Sequence, residues 1–134
     1  MKLADTRVVL LILYLAGMAL HLACFGYAVA VGAVYVEDLQ KLAVLTLAVY
    51  SVPLGVILGG FFGGTMKRPA CGLQHKFWTA AVLSIFWNLL LLSRSLVFAF
   101  AGTDSITSLV GYFETVAAAS TFLVSGALAY FFAK

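Results

Sequence analysis

The sequence predicts an all-α polytopic membrane protein, a four-transmembrane-helix antiparallel bundle forming one domain over residues 1–134. Three observations carry that expectation. The chain is 64% hydrophobic and only 10% charged, whereas soluble domains are about half apolar and a quarter charged. Its mean hydropathy is +1.11. The apolar residues fall into runs at 8–36, 42–63, 77–101 and 107–132, each longer than the ~20 residues that cross a ~30 Å hydrocarbon core. Almost nothing is left over for a soluble domain.

The charges lie mainly between and beside these runs. With four crossings, Lys2, Arg7, Lys67, Arg68, Lys76 and Lys134 share one side, and Glu37, Asp38 and Asp104 share the other with Lys41. The positive-inside bias places both termini in the cytoplasm, with a bacterial inner membrane as the expected setting. Membrane lipids are the first partners. Nucleic-acid binding has no support, since no basic surface interleaved with aromatics lies outside the runs.

The first run follows a short polar lead in which Asp5 or Thr6 is placed to cap a helix. Its basic start and Ala28-Val29-Ala30 imitate a signal peptide, but the run is too long for an h-region. At about 29 residues it makes roughly 43 Å of helix, more than the hydrocarbon requires. Tyr14, Gly17, His21, Cys24, Ala28, Gly32 and Tyr35 recur at helical spacing, and this small and polar stripe is assigned to the bundle interior. His21 as a haem or metal ligand lacks partners at its depth, so an interhelical hydrogen bond is the better reading.

Residues 37–41 read as a tight polar turn that makes the first two runs antiparallel neighbours. Pro53 sits near the middle of the second run and predicts a helix kink unless Ser51 or water serves the freed carbonyl. Beyond it, Gly55, Gly59 and Gly63 recur every four residues, with Gly60 and Gly64 on the adjacent ridge. Glycines so spaced let another helix backbone approach closely in lipid, so this face is expected to pack against a helix of the same or another subunit.

The segment 65–76 carries Pro69 and Gly72, which break helices. Cys71 and His75 supply only two ligands, so neither a metal nor any other cofactor is expected. Cys24 and Cys71 lie at different depths and should not form a disulfide.

In the third run Phe77 and Trp78 are read as interfacial anchors. Ser84, Asn88 and Ser95 share a stripe, beside one formed by Trp87, Leu91, Arg94 and Phe98. Asn88 falls near the depth of His21, which predicts a contact between them. The fourth run places Thr107, Gly111, Glu114, Ala118, Thr121 and Ser125 on one face, read as pointing inward. Arg94 and Glu114 lie about equally deep on either side of the Gly102-Thr103-Asp104 turn. A lone charge at mid-membrane costs about 2.5–3.5 kcal/mol on insertion scales, so the two are expected to pair, inside the bundle or between protomers.

One local similarity crosses that turn. Gly102-Thr103-Asp104-Ser105-Ile106-Thr107-Ser108-Leu109 resembles a short segment near the end of the last helix of the lambdoid phage holins. It covers eight of 134 residues, and those holins have three spans and a charged tail where this chain has a further apolar run.

Packing features outnumber chemical ones, with no cluster of carboxylates, metal ligands or nucleophile with base. The expected function is therefore a non-enzymatic membrane subunit that packs into a homo-oligomer or a larger membrane-protein complex. The alternative is a small ion channel or transporter in which Arg94, Glu114, Asn88 and His21 line the path, and a phage-type holin is a minor one.

Overall fold

The computed structural model describes residues 3–62, 73–102 and 105–132. Helix α1 spans Leu3–Ala30, α2 Val36–Phe62, α3 Leu73–Leu96 and α4 Ile106–Phe132. A π-helical turn, Val97–Ala101, extends α3. All four helices are long and apolar enough to cross a membrane, and no strand occurs among the described residues. The chain is an integral membrane protein built as a four-helix bundle.

The helix ends show where apolar patterning was an incomplete guide. The first apolar run continues to residue 36, but α1 stops at Ala30. Gly32 adopts φ 75°, a left-handed conformation that glycine takes without a Cβ penalty. Its N–H donates to Val29 O at 2.9 Å, and Ala33 N–H donates to Ala28 O at 2.9 Å. These two bonds form a Schellman cap that satisfies the last carbonyls of α1. Gly32 and Tyr35 therefore leave the buried stripe and are exposed.

Residues 37–41, read as a loop, form the first turn of α2 instead. Glu37 and Asp38 lie where the positive end of the helix dipole favours carboxylates. Lys41 pairs with Asp38 at 2.9 Å on the exposed surface, where water and salt screen the attraction. At the second hairpin, Gly102 caps the π turn at φ 61°. Ser105 Oγ then accepts from Ser108 N–H at 3.1 Å and caps α4. The resemblance segment thus forms this cap and the first turn of α4, with Thr103 and Asp104 outside the described residues.

The bundle is not a simple up-and-down ring. Helix α1 packs on α2 and α3, and α4 packs on α2 and α3, so α1/α4 and α2/α3 face each other across the diagonals. The two short turns make antiparallel neighbours. Along the chain direction, however, α1 lies parallel to α3 and α2 parallel to α4.

Side chains rather than backbones meet at the centre. Tyr14, Phe25, Tyr50, Trp87, Phe113 and Phe131 are among the largest fully buried side chains. Pro53 is buried, and α2 remains one helix from Val36 to Phe62 through it. Ser51 Oγ donates to Ala48 O at 2.6 Å, not to the Val49 carbonyl four residues before the proline. Near the end that carries the termini, Trp78 is exposed as an interfacial anchor should be. Phe77 is buried, its ring 6.1 Å from that of Phe131.

Candidate functional site

Helix periodicity places Ser84, Asn88 and Ser95 on one buried face of α3, and these three side chains organise the polar interior. Tyr14 Oη on α1 donates to Ser84 Oγ at 2.8 Å. Tyr50 Oη on α2 donates to Asn88 Oδ1 at 2.7 Å. Asn88 Nδ2 donates back to Ser84 O within α3 at 2.8 Å. Hydrocarbon supplies no donors or acceptors, so each of these groups would otherwise be left unpaired.

Gly17 makes this crossing possible. A Cβ on Gly17 would overlap Asn88 Oδ1 and lie 2.9 Å from Tyr50 Oη. The hydrogen bond between the diagonal helices α2 and α3 therefore passes over bare backbone of α1. Trp87 fills the space beside it, its ring 5.1 Å from Tyr50 and 5.8 Å from Tyr14. Its indole Nε1 is buried without an acceptor among the described residues.

The second polar layer belongs to His21. Its Nδ1 lies 2.8 Å from Ser95 Oγ, which is also 3.4 Å from Leu91 O. The ring is fully buried among Phe113, Tyr50 and Phe25, at centroid distances of 5.4, 5.7 and 6.4 Å. His21 Nε2 is covered and has no partner among the described residues. The expected His21–Asn88 contact is thus replaced by two others, because Tyr50 and the Ser84 carbonyl occupy the Asn88 amide. Ser95, two turns further along the same stripe, takes the histidine. Tyr50 was the polar residue that sequence reasoning missed. A phenol inside an apolar run, flanked by Thr46 and Pro53, was the available signal.

Arg94 and Glu114 diverge. Arg94 is half-buried at the seam of α3 and α4, its guanidinium carbon 5.6 Å from the Tyr112 ring centre. Glu114 is exposed on the outer surface of α4. Among the described residues the only ion pair is Lys41–Asp38, so the expected Arg94–Glu114 pair is not made within the bundle. The reason lies in the packing of α4. Leu109, Phe113, Val124, Leu128 and Phe131 turn inward, and the face of Thr107, Glu114 and Ala118 is left exposed.

The glycines divide in the same way. A Cβ at Gly55 or Gly59 would meet nothing within 4 Å, whereas one at Gly60 would overlap the Phe132 ring. Within the bundle it is therefore Gly60, and not the Gly55/Gly59 face, that accommodates a neighbour. Gly63 and Gly64 lie outside the described residues. At the same end Arg7 lies over Phe132 and Lys76 over Tyr130, at 5.6 and 4.7 Å. The aromatic C-terminal turns of α4 thus hold two of the cations that bias topology.

Among the described residues no three His, Cys, Asp or Glu side chains converge. The hydroxyls of Tyr14, Tyr50, Ser84 and Ser95 are engaged in hydrogen bonds between helices, Ser125 Oγ is buried without a partner among the described residues, and aromatic rings pack around His21 and Trp87. This arrangement defines a small polytopic membrane protein with a closed, hydrogen-bonded centre and polar features left on its outer surface. No protein-family model matches the chain, and no similar curated protein or solved structure is found.

Proposed function

We propose that the chain is a non-enzymatic membrane subunit that assembles with copies of itself or within a larger membrane complex. One observation carries the reading: Tyr14, Tyr50, Asn88 and His21 Nδ1 find their partners inside the bundle, while Glu114 faces outward from a membrane-spanning helix. A carboxylate left in hydrocarbon costs about 2.5–3.5 kcal/mol on insertion scales, a penalty that a covering protein surface relieves. The open Gly55/Gly59 face supplies a second surface suited to close helix contact.

The transporter reading draws on Trp87 Nε1 and His21 Nε2, two buried nitrogens without partners among the described residues. Against it, Asn88 and His21 are held in short hydrogen bonds and hemmed in by aromatic rings. A path lined by Glu114 would have to run between subunits. Extraction in a mild detergent followed by mass measurement tests the subunit reading: the particle is expected to exceed one 14.3 kDa chain, and a lone chain would sink it. The charge asymmetry supports cytoplasmic termini. A cysteine at residue 104 should then react with an impermeant thiol reagent from outside and one at residue 67 should not, and the reverse pattern inverts the topology.

A further inference from the structure

Glu114 lies eight residues beyond the start of α4, about 12 Å along the helix at 1.5 Å per residue. Neighbouring hydroxyls on this helix satisfy themselves: Thr115 Oγ1 donates to Gly111 O at 2.7 Å, and Ser120 Oγ donates to Val116 O. The exposed carboxylate receives no hydrogen bond from the described residues. A Cβ at Gly111, one turn away, would meet nothing within 4 Å, and Ala118, one turn the other way, is small and exposed. The surface around the carboxylate is shallow, and a helix can lie close against it.

We infer that this α4 face receives a transmembrane helix of a different membrane protein, one that brings an Arg or Lys side chain to the depth of Glu114. The inference rests on the subunit reading above and names the chemistry of the partner. Charge complementarity selects the occupant. A second copy centred on this face by a two-fold axis would set Glu114 against Glu114. A head-to-tail copy would need an exposed cation at the same depth. Among the described residues, exposed Lys41 is already paired with Asp38, exposed His75 lies at the other end of the bundle, and Arg94 is already engaged at the α3–α4 seam. A foreign basic helix meets both the charge and the shape of the surface.

The test is in-cell photo-crosslinking with a benzophenone amino acid placed at Ala118, with Leu47 on exposed α2 as control, and mapping of each adduct by mass spectrometry. The Ala118 probe is expected to join a transmembrane segment of another protein that carries Arg or Lys within one helical turn of the attachment point. Glu114→Gln should lower that yield by roughly tenfold or more, as loss of one partner of a desolvated charge pair does. Glu114→Lys should abolish it, and an acidic residue in place of the partner's cation should restore it. With the probe moved to Thr115, Ala118→Leu should block docking while leaving the carboxylate intact. Thermal unfolding of the purified chain should be unchanged by Glu114→Gln, which separates docking from folding. A crosslink to a second copy, or to a segment without Arg or Lys, overturns the inference and leaves the subunit reading standing. Unchanged yield in Glu114→Gln does the same. Adducts to lipid alone at both positions, with a single-chain particle in detergent, overturn both.

Discussion

Gly17 and Gly59 are the same residue in the same kind of helix, yet they do opposite things. Gly17 is buried where the Tyr50–Asn88 hydrogen bond passes over α1, and a single methyl there would strike the amide oxygen. Gly59 sits on an open surface with nothing in reach. Spacing favoured the second, since Gly55, Gly59 and Gly63 form a regular four-residue series and Gly17 stands alone in a stripe of mixed residues. What gives a membrane glycine its role is the group that passes over it. Close approach in lipid is driven by packing and by interhelical hydrogen bonds, and only the first leaves a repeat in the sequence.

The sharpest way to break this comparison is Gly17→Ala. The methyl must displace Asn88 Oδ1 or shift α1, combining overpacking with a weakened buried hydrogen bond, a loss of about 3 kcal/mol. Unfolding titrations in mixed micelles measure it. A change below about 0.5 kcal/mol, the range of neutral surface substitutions, would show that the crossing is not tightly packed.

Tyr50→Phe and Asn88→Leu come next, each expected to cost about 1–2 kcal/mol as buried polar contacts in membranes do. The double variant should cost clearly less than the sum, because the two side chains serve one hydrogen bond. Strict additivity would separate them. One layer further out, Ser95→Ala removes the partner of His21 Nδ1 and should cost about 1 kcal/mol. His21→Phe should be milder than Ser95→Ala, since it removes the orphaned Nε2 together with the bonded Nδ1. The opposite order would mean that Nε2 holds a group of its own.

The smallest effect on the fold belongs to Gly59→Leu. On an isolated chain it should change stability by less than about 0.5 kcal/mol, since the new side chain enters open space. Its effect should appear instead in the assembled fraction seen by size and mass in mild detergent. If assembly is untouched as well, the Gly55/Gly59 face is lipid-facing surface and the comparison with Gly17 is complete in the other direction.

Much of the architecture was legible from residues alone. Run length determined four spans, since the backbone in hydrocarbon must satisfy itself within helices. The stripe of Tyr14, Gly17, His21, Cys24 and Ala28 on α1 is buried as its spacing required, as are Ser84, Asn88 and Ser95 on α3. On α1 and α3 the polar groups turn toward one another, and a 3.6-residue period reports that directly. Where α1 would end was less legible, because an apolar connection such as residues 31–35 looks like continued helix until Gly32 is seen at positive φ.

Partners and facing were decided only by tertiary structure. Asn88 and His21 both needed a hydrogen bond at similar depth, and nothing in the sequence chose between each other and Tyr50 and Ser95. That choice followed from register: Gly17 lies level with Asn88 and leaves it open to Tyr50 across the diagonal, while His21, one turn further along α1, meets Ser95. The small and polar neighbours of Glu114 predict an inward carboxylate, but α4 buries Phe113, Leu128 and Phe131 and leaves Thr107, Glu114 and Ala118 exposed. The physical reason is the solvent. In water the interior of a bundle is marked by its apolar residues, whereas in lipid both sides of a helix are apolar. Hydropathy then says that a helix spans without saying which way it faces, and side-chain volume against particular neighbours decides the rest.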